Sequence, residues 1–247
     1  MNGVLEVFVI GLLAGGLGTM LGGLITVACG RISRGFLSVI MGFAGGVMIS
    51  IVCFDLIPEA LEIAPIAYGL IGLVGGAIII SVIDLYIPHS HEVVADKKSR
   101  YLRAGILLAI GLTMHSFPEG LAVGASFAVG MSLGFKLTII MSLQKIPEGM
   151  AITAPLLLGG VTKGRTIIGT FLVGLPMGIG ALVGVIVGGI SAYTLAVALG
   201  FAGGAMLYIT CDSLIPDAHA CSHGHSATFG IVAGIIVGIV ISSTIMF

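Results

Sequence analysis

His115-Ser116-Phe117-Pro118-Glu119-Gly120 and Gln144-Lys145-Ile146-Pro147-Glu148-Gly149 are two copies of one pattern, 29 residues apart, each set in an otherwise apolar stretch. Both end in Pro-Glu-Gly, and both place a metal-ligand type four residues before the glutamate. That spacing puts His115 with Glu119, and Gln144 with Glu148, on shared helix faces. A charged side chain at bilayer depth costs about 2.5–3.5 kcal/mol on insertion scales. Two glutamates in matching positions therefore imply a task for them, and the rest of the chain indicates what it is.

The chain is 57% hydrophobic and 9% charged, with 40 glycines in 247 residues. So few polar groups cannot cover a soluble globule of this size, which implies an integral membrane protein. Lipid cannot satisfy backbone polar groups, so only helices or closed barrels can span it. The ten-residue alternation of a barrel strand is absent, whereas apolar runs of about 20 residues, enough for a spanning helix, recur throughout. The first, Val4 to about Ala28, is too long for a signal-peptide core and reads as the first span. A net charge of −1 without a basic patch gives no reason to expect a nucleic-acid partner. Cys29, Cys53, Cys211 and Cys221 lack CxxC spacing and lie in or beside apolar segments. No disulfide framework is expected, and three of them are expected to be packing residues.

Polar breaks divide the chain into eight spans, at 4–28, 36–61, 66–87, 101–128, 134–158, 166–190, 192–217 and 227–247. Arg31, Arg34, Lys97, Lys98, Arg100, Arg103, Lys163 and Arg165 all fall in loops on one side, and Lys136 alone falls on the other. The excess of lysine and arginine marks the cytoplasmic side, which places both termini outside.

A second repeat appears at an offset of 158 residues. Gly42-Phe43-Ala44-Gly45-Gly46-Val47-Met48 aligns with Gly200-Phe201-Ala202-Gly203-Gly204-Ala205-Met206, and the match runs on through Cys53/Cys211 and Leu56-Ile57-Pro58/Leu214-Ile215-Pro216. Spans 2 and 7 point in opposite directions, as do spans 4 and 5. Inverted repeats of this kind are a transporter architecture, with the site near the midplane on interrupted helices. Pro118 and Pro147 are expected to supply the interruptions, because each removes an N–H and clashes with the carbonyl four residues earlier.

Antiparallel packing of spans 4 and 5 would bring His115, Glu119, Gln144 and Glu148 into one cluster. One imidazole nitrogen and three oxygen donors suit a borderline divalent ion such as zinc, and also ferrous iron, manganese or cadmium. The same residues could instead tie two helices together through His-Glu and Gln-Glu hydrogen bonds. Farther out, Asp55 and Glu59 near the outer end of span 2, and Asp212, Asp217 and Asp84 near the cytoplasmic ends of spans 7 and 3, would draw cations to the two mouths of a pathway, or would simply be charges at an interface. His89, His91 and Glu92 in one cytoplasmic loop, and His219, Cys221, His223 and His225 in another, are short tracts that bind metal loosely or are merely solvated.

On these motifs the chain resembles the ZIP (Zrt/Irt-like) family of divalent metal transporters, in its prokaryotic GufA-like branch. The resemblance covers the whole chain and is most specific at the paired Pro-Glu-Gly motifs. It implies an all-α integral membrane fold of eight transmembrane helices with inverted repeats (3+2+3), forming one transporter domain over residues 1–247. Spans 1, 4, 5 and 6 would be the transport unit and spans 2, 3, 7 and 8 the scaffold. It assigns the metal site to His115, Glu119, Gln144 and Glu148, with Met48 lining it. Binuclear members have Asn where Ser116 stands, Asp where Lys145 stands and a span 6 Glu where Met177 aligns. These replacements imply a single divalent site, in which the Lys145 ammonium takes the place of a second cation.

The resulting expectation is uptake of divalent transition metal, zinc foremost, by alternating access across the plasma (inner) membrane. No cofactor is expected beyond the transported ion and no enzyme activity. The expected partners are that ion, the lipid bilayer and a second copy in a homodimer. A non-transporting metal sensor and a channel are the competing readings. So is an intramembrane metallohydrolase, which the lack of a His-Glu-x-x-His motif disfavours.

Overall fold

A lipid solvent reverses the usual placement of side chains, and this helical bundle follows that rule. The computed structural model describes residues 2–30, 33–85, 97–222 and 224–244. Among the described residues eight helical rods succeed one another: α1 (Asn2–Cys29), α2 (Arg34–Ile63), α3 (Ile66–Asp84), α4 (Lys97–Val129), α5 (Met131–Leu158), α6 (Lys163–Gly188), α7 (Ala192–Cys221) and α8 (Ser226–Thr244). The fold is all-α, and each rod falls within a few residues of an expected span. Large aliphatic side chains such as Leu5, Ile71, Ile168 and Phe229 stand exposed, whereas Ala44, Ala122, Ala181 and Ala202 are buried between helices. Small residues between helices permit close packing within lipid, and large side chains such as Met48, Leu137 and Leu199 fill the interior beside them.

Seven of the rods are long and apolar enough to cross a bilayer. The remaining one, α5, is 28 residues long but carries Lys136, Lys145 and Glu148. All three of these charges are buried against other helices, as a charged residue at bilayer depth must be.

The 158-residue repeat is reproduced to the residue. In α2 an α-helix over Arg34–Ile51 gives way to a π turn at Val52–Leu56 and resumes at Ile57–Ile63. In α7 the same three pieces are Ala192–Ile209, Thr210–Leu214 and Ile215–Cys221. The Ile57 N–H donates to Val52 O and the Ile215 N–H to Thr210 O, each reaching five residues back. Pro58 and Pro216 follow directly. A proline has no N–H to return to the carbonyl four residues earlier, so the preceding turn widens. The symmetry extends to packing: α2 lies along α8 as α7 lies along α3.

The other half of the bundle has its own symmetry. α4 packs along α6, α5 packs along α1, and α4 and α5 lie side by side. A methyl group placed at Gly120 would overlap the carbonyl oxygen of Met177 on α6, and one at Gly149 would overlap the carbonyl oxygen of Thr19 on α1. The glycines of the two Pro-Glu-Gly triplets thus do the same job, letting α4 and α5 press backbone to backbone on their respective neighbours.

Two expectations are corrected. α4 and α5 run unbroken through Pro118 and Pro147. The interruptions lie instead in α2 and α7, at the π turns, and in α6, where Leu175 separates Lys163–Gly174 from Pro176–Gly188. A membrane helix tolerates an internal proline where neighbouring groups satisfy the freed backbone, and the close seats at Gly120 and Gly149 hold α4 and α5 in place. Cys29, Cys53 and Cys211 are exposed and do not pack in the core, although all four cysteines are free thiols.

Candidate metal centre

Where α4 and α5 meet, four polar side chains converge in an apolar interior. Glu119 and Lys145 are fully buried, and Gln144 and Glu148 nearly so. The Lys145 ammonium lies between the two carboxylates. It donates to Glu148 Oε2 at 2.7 Å and forms an ion pair with Glu119 Oε2. Its Nζ also donates to Ser116 Oγ at 3.0 Å. The Ser116 hydroxyl lies 2.9 Å from Leu112 O and 3.1 Å from Val173 O on α6, which seats the α4–α5 pair against α6. Gln144 Nε2 donates to Glu119 Oε1 at 3.0 Å, leaving Gln144 Oε1 buried without a hydrogen-bond partner.

Buried polar atoms are nearly always satisfied, so an unpaired amide oxygen beside two carboxylates marks a place with spare capacity for a cation. His115, one turn before Glu119, is half-buried. Lys145 fills the space between the carboxylates, and among the described residues no three His, Cys, Asp or Glu side chains are gathered as a ready-made metal cage. Two carboxylates and one ammonium leave the cluster one positive charge short of balance. A divalent ion would over-correct that by one unit.

A second buried cluster joins α2, α5 and α8. Lys136 Nζ donates to Asp55 Oδ1 at 2.6 Å and to Ser242 O at 3.0 Å, and Ser242 Oγ donates to the same carboxylate oxygen at 2.8 Å. Asp55 Oδ2 is buried without a partner.

Comparison with known proteins identifies the family. Residues 88–246, nearly two thirds of the chain, match the family model for the ZIP zinc transporter. The chain belongs to the ZIP zinc transporter family. It is 30% identical to the zinc transporter ZupT of Corynebacterium glutamicum over 90% of this chain and 92% of that protein. It is 31% identical to the zinc transporter ZupT of Clostridium perfringens over 96% of this chain and 95% of that protein. With the zinc transporter ZIPB of Bordetella bronchiseptica the identity is 30%, over 92% of this chain and 77% of that protein. ZIP proteins are a transporter family and not an enzyme family, and this one is a multi-pass membrane protein.

The remaining expected site residues of this ZIP chain lie on several helices, with Met177 against Gly120 beside Glu119. Met48 is buried on α2, where its sulfur accepts from Thr210 Oγ1 of α7 at 3.5 Å. Met177 is fully buried just after the break in α6. Glu59 and Asp217, equivalent under the 158-residue repeat, are both half-buried. Asp212 is exposed. It aligns with the exposed Phe54, one residue out of register with Asp55. One residue is about 100° around a helix, so two aspartates that look equivalent point in different directions. Asp84 is the last residue of α3.

His219 and Cys221, expected in a loop, lie instead in the last turns of α7, which continues past Asp217; His219 is exposed, with its Nδ1 3.0 Å from Ile215 O, and so is His225. Cys221 is half-buried, with its thiol 3.8 Å from the sulfur of Met41. His89, His91, Glu92 and His223 lie outside the described residues.

Sequence reasoning missed Lys136 and Ser242 as partners of Asp55. The available signal was Lys136 itself, a lone lysine six residues into an apolar helix.

Proposed function

We propose that this ZIP chain carries divalent transition metal, zinc foremost, into the cytoplasm by alternating access through one central site on α4 and α5. The observation that carries the reading is the buried Glu119–Lys145–Glu148 bridge with its unpaired Gln144 oxygen. Carboxylates at bilayer depth, partly neutralised by a buried ammonium, suit a cation that binds and leaves. The names of the relatives, all zinc transporters, agree with this cargo.

In this reading the ion enters from the side where α2 ends and α5 begins, and it meets Glu119, Glu148, Gln144 and His115. Lys145 yields the carboxylate oxygens and keeps its hydrogen bond to Ser116, whose hydroxyl stands 3.0 Å from its nitrogen. Because Lys145 stays beside the ion as a fixed positive charge, the centre holds one metal. α1, α4, α5 and α6 move as a unit past α2, α3, α7 and α8, in line with the two sets of closest packing. Both termini face outward, and the charge asymmetry of the loops supports that orientation.

The test is uptake of a zinc isotope into proteoliposomes by the parent and by Glu119→Ala and Glu148→Ala. The parent should show saturable uptake and both variants should lose it. Equal uptake by all three would refute the assigned centre, and binding without flux in the parent would favour a sensor.

A further inference from the structure

The ion pair between Lys136 and Asp55 links a helix of one packing set to two helices of the other. Lys136 belongs to α5, which packs with α1 and α4, whereas Asp55 and Ser242 belong to α2 and α8, which pack on each other. All three side chains are more than nine-tenths buried. The π turn of α2 aims Asp55 inward, while its neighbour Phe54 stays exposed. Ser242 lies on α8, and its backbone carbonyl accepts from the Lys136 ammonium. That carbonyl and the carboxylate together give the ammonium two acceptors, 3.0 and 2.6 Å away. One turn farther along α5, Ile140 lies on the same face as Lys136 and is also buried. The contact therefore closes the end of the bundle where α2 and α8 end and α5 begins.

We propose that Asp55, Lys136 and Ser242 form an interlock on the outer side of the carrier, which must separate whenever the central site opens outward. This rests on the carrier reading, in which α5 moves relative to α2 and α8. A buried ion pair is suited to the role because its attraction is strong at contact in a low-dielectric interior and falls quickly once water enters. It therefore resists partial opening and releases as one step.

The experiment uses Ile140→Cys as a reporter, in a chain whose four native cysteines are serine and whose zinc uptake is retained. A membrane-impermeant thiol reagent is added outside intact cells. Lys136→Met and Asp55→Asn should raise the labelling rate about tenfold, the change that a loss of about 1.4 kcal/mol in holding the closed state produces. The exchanged pair Asp55→Lys with Lys136→Asp should restore slow labelling. Unchanged labelling in well-folded single variants would overturn the proposal.

A second measurement does not require those variants to fold normally. Asp55→Cys with Lys136→Cys, joined by a short bifunctional thiol cross-linker, should lose uptake and regain it when a cleavable cross-linker is cut. Undiminished uptake by the cross-linked protein would overturn the interlock while leaving the carrier intact. A parent chain that moves no zinc would instead refute the carrier reading.

Discussion

Replacing Lys145 by methionine isolates the charge from the volume of the central side chain. The lysine contacts two carboxylates and one hydroxyl, and its stem lies close enough to α1 that a methyl group at Gly18 would overlap Lys145 Cβ. Methionine keeps that packing and removes the ammonium. Glu119 and Glu148 then face each other in an apolar interior without a counter-charge, and breaking a buried ion pair in this way costs about 3–5 kcal/mol. For a chain of this length that corresponds to a fall of roughly 10 °C in the unfolding midpoint.

Zinc should reverse most of the loss, because an ion that binds only the folded protein stabilises it by about 2.7 kcal/mol at a hundred times its dissociation constant. The parent should gain less from zinc, since its lysine already supplies part of the charge. Graded heating in detergent followed by size-exclusion chromatography, with and without zinc, measures both effects. A metal-free variant that melts with the parent, or zinc shifts of equal size in the two proteins, would refute the account of Lys145 as an internal cation.

Lys145→Asp should raise bound metal from one to two ions per protomer by elemental analysis, because it replaces the fixed cation with a third carboxylate. Ser116→Ala deprives the Lys145 ammonium of its one neutral acceptor and should lower stability by about 1 kcal/mol in chemical denaturation. Gly120→Ala and Gly149→Ala should each cost about 1–3 kcal/mol from overpacking against a neighbouring backbone. Gly75→Ala on α3, where a methyl group meets nothing within 4 Å, should be neutral or stabilising by up to about 1 kcal/mol. The same melting assay compares the three.

The membrane class and helix boundaries were legible because long apolar runs report directly on the solvent around them. The repeats were legible because helix contacts in lipid depend on glycine and alanine at fixed positions, and those positions recur in the sequence. Direction around a helix was harder to read. The repeat carries an aspartate in each of its π turns, but an offset of one residue turns Asp55 inward to Lys136 and leaves Asp212 exposed. The prolines misled for a related reason. Pro118 and Pro147 sit where neighbouring backbones hold the helix, so it continues, whereas the turns before Pro58 and Pro216 widen by one residue. Which outcome follows a given proline depends on packing from helices distant in sequence. Lys136 was equally opaque, since its partners lie 81 and 106 residues away.

The two buried lysines of α5 suggest why a carrier with one metal site would keep an ammonium inside it. With both carboxylates ionised, a centre made of Glu119 and Glu148 alone would hold two negative charges when empty and none when loaded. With Lys145 added, the empty centre carries one negative charge and the loaded centre one positive charge. The cost of holding net charge in a poorly polarisable medium grows as its square, so the worst state of the cycle becomes about fourfold less costly. A carrier must cross the membrane both loaded and empty, and the slower crossing limits turnover. A fixed cation therefore trades some affinity for a smaller difference between the two crossings. Lys136 applies the same chemistry at the bundle's end, neutralising the buried Asp55. On this argument the second metal of binuclear relatives and the Lys145 of this chain are alternative solutions to one electrostatic problem, the return of an empty pair of carboxylates through a bilayer.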